Sequence, residues 1–461
     1  MIIDQIYTGC LAQGAYYIES DGEAAIIDPL RSPAPYLKRA NDAGAKIKYI
    51  FETHFHADFV SGHLDLAKES GATIVYGPGA KTDYAKHTAH DMEDFHVGKL
   101  TIRALHTPGH TLESTCYLLL TEEGKPHALF SGDTLFIGDV GRPDLAQKSG
   151  ALTVEDLAGL LYESLRRRIM VLPDDVIVYP AHGAGSACGK KMSRETQDTL
   201  GNQKETNYAL RTDMTRAEFI REVTDGLLPP PAYFGENVRL NKEGYESFEK
   251  VMDRSLQALP PAEFERAANN DRPLLLDVRD KAEFVKGFVP NSIFIGLDGS
   301  FAPWVGELVP DLKQPILLIV DAGREAEAAE RLSRVGYDGV LGYLEGGIEA
   351  WKSYGGELDQ LETIDAHTFG ERLRAGKVPA TLDVRKEAEF KGGHLSVASN
   401  VPLNELSSRR GELSKAGTIY VHCGSGYRST IATSLLKSRG VDDIVNVQDK
   451  VALILGQEVT G

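Results

Sequence analysis

Histidine and aspartate side chains with metal-binding chemistry follow a short apolar run near residue 50. His54, His56 and Asp58 occupy alternating positions directly after residues 49–52, which indicate the end of a buried strand. Neutral imidazole and carboxylate groups are ligands that divalent transition metals take in proteins. The next residue, Phe59, has an apolar ring at a position where a second metal ion would need a ligand atom. The spacing therefore favours a site for one metal ion rather than two.

Three further segments carry ligand-type residues in turns. His110 follows a Pro-Gly turn, Asp133 stands at the end of an apolar run, and His182 follows another run that closes with Pro180. Each of these residues alone is weak evidence, since a single histidine is usually an ordinary surface or core residue. Four such elements in this order predict one metal-binding constellation.

A reactive cysteine stands near the end of the chain, between the apolar run 418–421 and an amphipathic helix. The loop that joins them consists of Cys423, Gly424, Ser425, Gly426, Tyr427 and Arg428. Glycines let the backbone N–H groups point inward, and the helix N-terminus adds partial positive charge. Because an anion at the loop centre is thereby stabilised, we expect Cys423 to react as the thiolate. Such a cysteine serves either in sulfur transfer or as a phosphatase nucleophile.

The elements that must position these residues differ along the chain. Residues 1–240 alternate short β-rich runs with turns and helices, which predicts stacked sheets with helices outside. A triple proline at 229–231 stops any helix and indicates the exit from this domain. Residues 274–284 recur as 380–390, and each copy continues into an apolar strand, a loop and a helix. We therefore predict a first domain at 1–245 and two α/β domains with parallel sheets at 246–357 and 358–461.

The bulk composition limits the partners and the setting. A formal net charge of −17 over 461 residues argues against nucleic acid or an anionic membrane as the main partner. Four scattered cysteines are too few for a disulfide scaffold. The first residues lack the pattern of a signal peptide, and no apolar run is long enough to span a bilayer. We expect a reducing, cytoplasmic setting, and whether the chain forms a homo-oligomer stays open.

With the run 138–144, the metal-ligand motifs resemble the metallo-β-lactamase superfamily, and most of all its glyoxalase II and persulfide dioxygenase branch. The resemblance covers residues 1–240 and implies a four-layer αββα sandwich with metal at one edge. Dioxygenases of this family hold one Fe(II) through residues that match His54, His110 and Asp133. Two imidazoles and a carboxylate on one face of an iron leave positions open for a substrate sulfur and O₂.

The remaining motif residues have a supporting role in this interpretation. His56, Asp58 and His182 would orient the ligands and bound water, or serve as alternative metal ligands. In binuclear hydrolases of the superfamily a histidine commonly stands in the place of Phe59 and helps to bind a second zinc. Its absence argues against a two-metal hydrolase, whereas hydrolysis with one Zn²⁺ stays open.

The Cys423 loop, with Arg428 at its end, resembles the rhodanese active site, which carries a persulfide on its cysteine. Arg428 would then hold thiosulfate, sulfite or another anionic acceptor. In the first copy the corresponding loop contains Asp321 and Arg324 but no cysteine, so we predict a rhodanese-like domain without that chemistry. The arginines of the repeated Asp-Val-Arg motif are expected to form salt bridges that join Arg279 to Glu283 and Arg385 to Glu389.

Together the two sites predict a multidomain persulfide dioxygenase–sulfurtransferase of sulfide detoxification. The first domain would oxidise a small thiol persulfide with O₂ to sulfite, and Cys423 would move sulfane sulfur to form or consume thiosulfate. Cys188, six residues after His182, is either a small buried residue or a persulfide relay near the metal. Arg142 is a candidate ligand for an anionic thiol carrier. The alternative is a zinc-dependent glyoxalase II-type thioester hydrolase fused to a rhodanese.

Overall fold

The computed structural model describes residues 1–145, 152–227, 229–270, 272–413 and 417–457. The chain divides into two compact units, of which the first takes Met1–Phe248 with Ser333–Gly336 and the second takes Glu249–Leu332 and the chain from Tyr337 onward. None of the helices in the described residues has both the length and the apolar character needed to cross a membrane. The predicted boundaries at 245/246 and 357/358 stay predictions.

Two six-stranded sheets form the first unit. The first sheet has the order β1 (Ile2–Thr8), β2 (Gln13–Ser20), β3 (Glu23–Ile27), β4 (Lys46–Phe51), β5 (Thr73–Tyr76), β6 (His87–Thr88). The second has the order β12 (Asp198–Thr199), β11 (Ile177–Pro180), β10 (Pro126–Gly132), β9 (Thr115–Leu120), β8 (Leu100–His106), β7 (Asp94–Val97). Each sheet begins as an antiparallel meander, while β3 with β4, β4 with β5 and β10 with β11 run parallel.

Helices cover the outer faces of both sheets. They are α1 (Ala34–Ala43), α2 (His63–Ser70), α3 (Val154–Ser164) with the π-helical turn Leu165–Ile169, α4 (Leu200–Thr206), α5 (Arg216–Thr224), and α6 (Phe234–Glu243); a 3₁₀ turn spans Tyr208–Leu210. Thr153 starts α3 with a capping box, since its side chain accepts from the Asp156 N–H and the Asp156 carboxylate accepts in return. The predicted helices outside stacked sheets are therefore present.

The apolar faces of the strands explain the layers. Tyr16 and Phe51 of the first sheet meet Tyr117 and Phe130 of the second in one buried cluster between the sheets. A second cluster joins the first sheet to α1 and α2, and a third joins the second sheet to α3 and α5. The order helix, sheet, sheet, helix is the αββα sandwich that the resemblance implied.

The second unit holds two five-stranded, all-parallel sheets. The first has the order β13 (Ala258–Leu259), β17 (Val340–Leu344), β16 (Ile316–Ile319), β14 (Leu274–Asp277), β15 (Ile293–Phe294). The second has the order β18 (Thr363–Ile364), β22 (Ile444–Val447), β21 (Ile419–His422), β19 (Ala380–Asp383), β20 (Ala398–Asn400). The repeated strand order confirms the two similar α/β domains that the sequence repeat predicted.

Helices and short turns connect these strands. They are α7 (Phe248–Ser255), α8 (Pro261–Asn270), α9 (Lys281–Phe284), α10 (Phe301–Leu308), α11 (Glu325–Arg334), α12 (Gly347–Tyr354), α13 (Ala366–Arg374), α14 (Glu387–Lys391), α15 (Tyr427–Lys437), α16 (Val451–Leu455), with 3₁₀ turns at Leu403–Glu405 and Arg410–Glu412. The second copy ends in the five-residue α16 where the first has the eight-residue α12 with its buried Trp351. The first copy has a Gly-Gly pair at 346–347 and Trp351, whereas the corresponding run 448–454 of the second copy contains neither glycine nor tryptophan.

The predicted partners of the repeated arginines were wrong. Arg279 pairs with Asp277, at 2.6 Å, and Arg385 pairs with Asp383, at 2.7 Å, rather than with the glutamates four residues later. In an extended strand end, residues i and i+2 point the same way, so the carboxylate and the guanidinium of Asp-Val-Arg meet directly. Both pairs are buried, and each arginine also donates to a backbone carbonyl of the following loop.

Candidate metal centre and cysteine loop

The metal-ligand motifs lie at strand ends of the first unit. The loop with His54 follows β4, the loop with Asp133 follows β10, and the loop with His182 follows β11. Strands β10 and β11 run parallel, and β8, which precedes His110, is antiparallel to β9 and so shares their direction. Carboxyl ends of strands with one direction meet at the same edge of a sheet, which collects His110, Asp133 and His182 in one place. The loop with His54 comes from β4 of the other sheet.

His54, His110 and Asp133 form one buried group. The Asp133 Oδ2 atom lies 3.8 Å from His54 Nε2 and 3.4 Å from His110 Nε2. One potential ligand atom from each of the three residues lies within 4.8 Å of the others. The three residues predicted as iron ligands are therefore brought together.

Hydrogen bonds fix both imidazoles in the tautomer that a metal ligand needs. The Thr53 hydroxyl donates to Asp28 Oδ2 at 2.8 Å, so it accepts from His54 Nδ1 at 2.9 Å. His110 Nδ1 donates to the carbonyl oxygen of Arg142 at 2.8 Å, because that oxygen can only accept. In both rings Nε2 is left with its lone pair free beside Asp133, as expected for neutral histidine ligands held by a second hydrogen bond.

The Asp133 carboxylate shows that this group suits a cation. Neither of its oxygens has a hydrogen-bond partner in the described residues, and the side chain is fully buried. A buried, unpaired carboxylate is costly unless a cation or donors compensate it. With two neutral imidazoles beside it, the donor set fits one divalent transition metal ion.

A second group lies beside the first and contains His56, Asp58 and His182. His182 Nε2 is 3.5 Å from Asp58 Oδ2 and 3.6 Å from Asp133 Oδ1. His54 and His110 lie near the other oxygen of Asp133, Oδ2. His56 Nε2, however, lies 3.0 Å from Asp28 and 3.5 Å from Glu52. His56 Nε2 is thus engaged by two buried carboxylates other than Asp133.

The electrostatics separate the two histidines of the motif. Burial and the neighbouring imidazoles of His56 and His110 lower the pKa of His54 well below its usual value, which keeps it neutral. Burial opposes a charge on His56 too, but the Asp28 and Glu52 carboxylates outweigh it and raise its pKa to about 9. The surroundings of His54 thus favour the neutral ring that a metal ligand needs, whereas those of His56 favour the protonated ring.

Phe59 occupies the position where the sequence lacked a donor. Its ring is fully buried and stacks on the His56 imidazole. The structure thus gives Phe59 a packing contact, and its predicted effect on metal number stays a prediction.

Cys188 lies close to the metal-ligand group. Its sulfur, one Asp133 oxygen and one His182 nitrogen all lie within 4.8 Å of one another, and the side chain is 1% exposed. Burial, with the Asp133 and Asp58 carboxylates nearby, raises the pKa of the thiol well above its usual value. The proximity that motivated a relay role is present.

Arg142 holds the loop that carries Cys188. Its guanidinium binds the Asp144 carboxylate through two hydrogen bonds of 2.6 and 2.7 Å and donates to the Ala187 carbonyl. Its backbone N–H donates to the carbonyl of Cys188 at 3.1 Å. These contacts orient the site, and binding of a thiol carrier by Arg142 stays a prediction.

Sequence reasoning missed three buried polar residues that hold the site. Asp28 accepts from the backbone and hydroxyl of Thr53. Asn241 of α6 donates to the carbonyls of His56 and Phe59 at 2.8 and 2.9 Å. Asp139 accepts from the backbone N–H groups of Lys190 and Lys191, next to Cys188. Asp28 and Asp139 each follow an apolar run, which is a weak signal, whereas nothing local marks Asn241.

In the second unit, Cys423 lies between β21 and α15 as predicted. Its side chain is 1% exposed, and the N–H of Gly426 donates to its sulfur at 3.2 Å. Gly426 has a φ of 88°, which is the left-handed conformation that glycine allows at the start of α15. The loop thus points a backbone donor at the sulfur, as the anion-stabilising interpretation requires.

Arg428 is oriented by a carboxylate. Its guanidinium donates to both oxygens of Glu389, at 2.6 and 2.8 Å. This hydrogen-bonded pair holds the pKa of Glu389 below its usual value. A Cβ added at Gly424 would lie 3.1 Å from one guanidinium nitrogen, so Arg428 also borders the cysteine loop.

Family comparisons agree with this geometry. Residues 8–182 match the metallo-beta-lactamase superfamily, and residues 260–354 and 365–450 match the rhodanese-like domain. A probable hydroxyacylglutathione hydrolase of Schizosaccharomyces pombe is 32% identical over 190 residues, which are 41% of this chain and 69% of that protein. The chain belongs to the metallo-beta-lactamase superfamily.

Two solved structures resemble this superfamily member. A metallo-beta-lactamase from Staphylococcus aureus is 32% identical with a TM-score of 0.66, over 75% of this chain and 99% of that one. ETHE1 from Myxococcus xanthus is 27% identical with a TM-score of 0.45, and the match covers 52% of this chain and 98% of that one. The protein thus combines a metallo-beta-lactamase domain, whose buried His and Asp residues could hold a metal ion, with two rhodanese-like domains. Both kinds of domain are typical of enzymes.

Proposed function

We propose that the first unit is a persulfide dioxygenase with one Fe(II), and that Cys423 is a sulfurtransferase nucleophile working on the same sulfur species. The dioxygenase reaction converts R–S–SH, O₂ and H₂O into R–SH and sulfite with release of protons. The terminal sulfur loses four electrons and O₂ gains them. The setting we expect for this reaction is sulfide detoxification in the cytoplasm.

One observation supports the metal proposal above the others. His54 and His110 each tie Nδ1 to an acceptor and leave Nε2 beside Asp133, whose oxygens have no donor among the described residues. Two imidazoles and one carboxylate are the facial donor set of non-haem iron oxygenases. An Fe(II) ion there would supply open positions for the persulfide sulfur and for O₂. The Phe59 ring, in the place of a further donor, favours one ion.

The residues around this group prepare it for an anionic sulfur substrate. The carboxylates of Asp28 and Glu52 lie 3.0 and 3.5 Å from His56 Nε2 and raise the pKa of His56, which favours a positive charge on this ring next to the ligand group. The Arg142 backbone holds His110 on one side and Cys188 on the other. In this proposal the Cys188 sulfur attacks the outer sulfur of R–S–SH, a Cys188 persulfide forms beside the ligands, and the carrier leaves as R–SH with the electron pair of the broken S–S bond. Arg142 shapes the approach of the thiol carrier.

The Cys423 loop is proposed to exchange sulfane sulfur with thiosulfate or sulfite. The Cys423 thiolate attacks the outer sulfur of thiosulfate, an S–S bond forms, and sulfite leaves with the electron pair of the broken bond. The Gly426 N–H stabilises the sulfur anion, and Arg428 binds the oxyanion. Because both sites are carried on one chain, the local concentration of the shared sulfur species is raised.

The decisive experiment uses protein purified without oxygen. Metal analysis should find iron at about one per chain, and O₂ uptake should follow addition of glutathione or coenzyme A persulfide. His110→Ala should lose iron and O₂ uptake but keep thiosulfate sulfurtransferase activity, while Cys423→Ser should show the reverse. Iron-loaded protein that consumes no O₂ with any small persulfide would contradict the dioxygenase.

A second function is favoured by the position of Asp133. Its Oδ2 faces the first group and its Oδ1 lies near His182, an arrangement that suits a carboxylate shared by two metal ions. The S. pombe relative is named as a probable hydrolase of hydroxyacylglutathione. The alternative is thus a zinc-dependent thioester hydrolase fused to a rhodanese. Zinc in the purified protein, with thioesterase activity and no O₂ uptake, would support it.

A further inference from the structure

A lysine of the cysteine-less rhodanese-like copy contacts the Cys423 loop of the other copy. Lys281 is the first residue of α9, and its Nζ donates to the carbonyl oxygen of Ser425 at 2.8 Å. The two residues are 144 positions apart in sequence and belong to the same compact unit. The Cys423 loop is therefore not formed by its own domain alone.

The carbonyl that Lys281 holds belongs to the peptide that faces the sulfur. The peptide between Ser425 and Gly426 presents its C=O to Lys281 and its N–H to Cys423 Sγ, at 3.2 Å. A peptide unit is planar and trans, so its C=O and N–H point in opposite directions and move together. A cation that fixes the oxygen fixes the direction of the N–H, and it also polarises that N–H toward the sulfur.

A tyrosine makes a second contact with the same copy. The Tyr427 hydroxyl donates to the carbonyl of Gly296 at 2.7 Å, and the Tyr427 ring lies against Gly299. A Cβ at Gly299 would stand 2.2 Å from a ring carbon, so only glycine admits the ring there. Tyr427 is the residue after Gly426 and begins α15, so the first copy contacts both the Ser425–Gly426 peptide and the residue that follows it.

Between these contacts lies a cavity of about 350 Å³. Its lining includes Lys281, Ser300, Ser425 and Tyr427. A cavity of this size is large enough to admit water or a small anion. Lys281 can therefore be reached by a substrate, and a direct role in binding an anion must be separated from a role through the peptide.

We infer that Lys281 is a positioning residue for sulfur transfer, acting through the Ser425–Gly426 peptide on the anionic sulfur of Cys423. This inference rests on the proposed sulfurtransferase role of that cysteine. The attacking thiolate and the persulfide that replaces it both carry negative charge on sulfur, and the same N–H stabilises each. The copy that lacks a cysteine of its own is thus part of the reaction site.

Other charged groups also act on Cys423, and they are common to all variants of Lys281. Arg428 interacts with the cysteine electrostatically and is paired with Glu389. On the strand side, His422 lies 3.8 Å from Asp383. A comparison between variants at position 281 leaves these groups in place, so a difference in cysteine reactivity reports on the lysine.

The test compares the full-length, metal-loaded chain with Lys281→Met, Lys281→Arg and the control Lys286→Met. Lys286 lies on the same copy and pairs with the exposed Glu283, away from the Cys423 loop. The first readout is the rate of Cys423 alkylation by neutral iodoacetamide as a function of pH, followed by mass spectrometry of the Cys423 peptide. The second is kcat and KM for transfer of sulfur from thiosulfate to cyanide.

We expect Lys281→Met to move the alkylation midpoint to higher pH and to lower kcat by roughly threefold to tenfold, since one charge-assisted hydrogen bond is lost. In Lys281→Arg the alkylation midpoint and kcat should both stay close to the wild-type values, and Lys286→Met should match the wild type in both. An unchanged midpoint with only a raised KM would mean that the lysine binds the anion directly and would overturn the inference. Alkylation needs no sulfur donor, so the inference can be judged even if wild-type protein transfers no sulfur.

Discussion

The ring of Phe59 stacks on the imidazole of His56, with centroids 4.3 Å apart and planes inclined by 27°. This contact places Phe59 next to the group of His56, Asp58 and His182. A nitrogen donor at this position would stand beside His56, which forms a possible ligand group with Asp58 and His182.

Phe59→His is therefore expected to raise the metal content from about one toward two ions per chain. Equilibrium dialysis against Zn²⁺ followed by elemental analysis measures this directly. Phe59→Leu is the matched control, because it removes the ring without adding a donor. If both variants bind metal like the wild type, Phe59 acts only by packing.

Cys188→Ser is expected to lower the rate of persulfide-dependent O₂ uptake by about tenfold, since a hydroxyl cannot carry sulfane sulfur to the neighbouring metal group. Iron content should stay unchanged, which metal analysis checks. Cys10→Ser serves as the control at a partly exposed cysteine far in sequence from the ligands. Unchanged turnover of Cys188→Ser with every persulfide tested would remove the relay.

Glu389→Gln is expected to raise the KM for thiosulfate by roughly threefold to tenfold with a smaller change in kcat. An amide has only one acceptor oxygen and no charge, so it cannot accept both hydrogen bonds of the Arg428 guanidinium as a carboxylate does. Arg428 is then no longer held in its orientation beside the loop. Initial-rate kinetics over a range of thiosulfate concentrations measure the effect. Glu387→Gln is the control, because that residue pairs with Lys391 on the same helix. A KM unchanged in both variants would show that the pair is structural.

The same pair predicts a dependence on pH. Arg428 lowers the pKa of Glu389 below its usual 4.5, so the ion pair is fully present above pH 4.5 and is lost as the pH falls through the lowered value. The KM for thiosulfate of the wild type should accordingly rise on the acid side below pH 4.5. In Glu389→Gln this rise in KM at acid pH should be absent. The same rise in both proteins would show that protonation of Glu389 is not its cause.

Asp139→Asn is expected to destabilise the first unit by about 2–4 kcal/mol, because the amide would turn a donor toward backbone N–H groups in a buried site. The carboxylate accepts from Lys190, Lys191 and the Tyr208 hydroxyl. Tyr208→Phe removes one of these bonds and should cost about 1 kcal/mol. Urea unfolding measures both. Faster alkylation of Cys188 should accompany the first variant, since its loop is released.

The gathering of His54, His110 and Asp133 in one place was predictable from the sequence because each of these residues follows a strand end, and strand ends converge. His54 and Asp133 could be recognised from a few neighbouring residues each. The buried polar residues that hold the site, Asp28, Asn241 and Asp139, could not be predicted in this way. Asn241, for example, donates to a residue 185 positions away and lies on an ordinary amphipathic helix. Tertiary contacts of this kind leave no local pattern.

The rhodanese half shows a similar division. The position of Cys423 and the glycine at 426 were evident from the loop sequence. The pairing of Arg385 was predicted wrongly, because spacing alone does not decide between a neighbour two residues away and one four residues away. The contact from Lys281 could not be predicted, since it depends on how two copies pack in one unit.

The two hydrogen bonds that the Asn241 side chain donates to the carbonyls of His56 and Phe59 have a consequence for how the protein is made. The His54–Phe59 segment is synthesised early, but the carbonyls of His56 and Phe59 find their donor only when residue 241 has left the ribosome. At usual elongation rates of 5–20 residues per second, the interval is roughly 10 to 40 seconds. Until residue 241 has been made, the backbone of the His54–Phe59 segment lacks these two hydrogen bonds, so the loop that carries the first two histidines of the site is completed by a residue made much later.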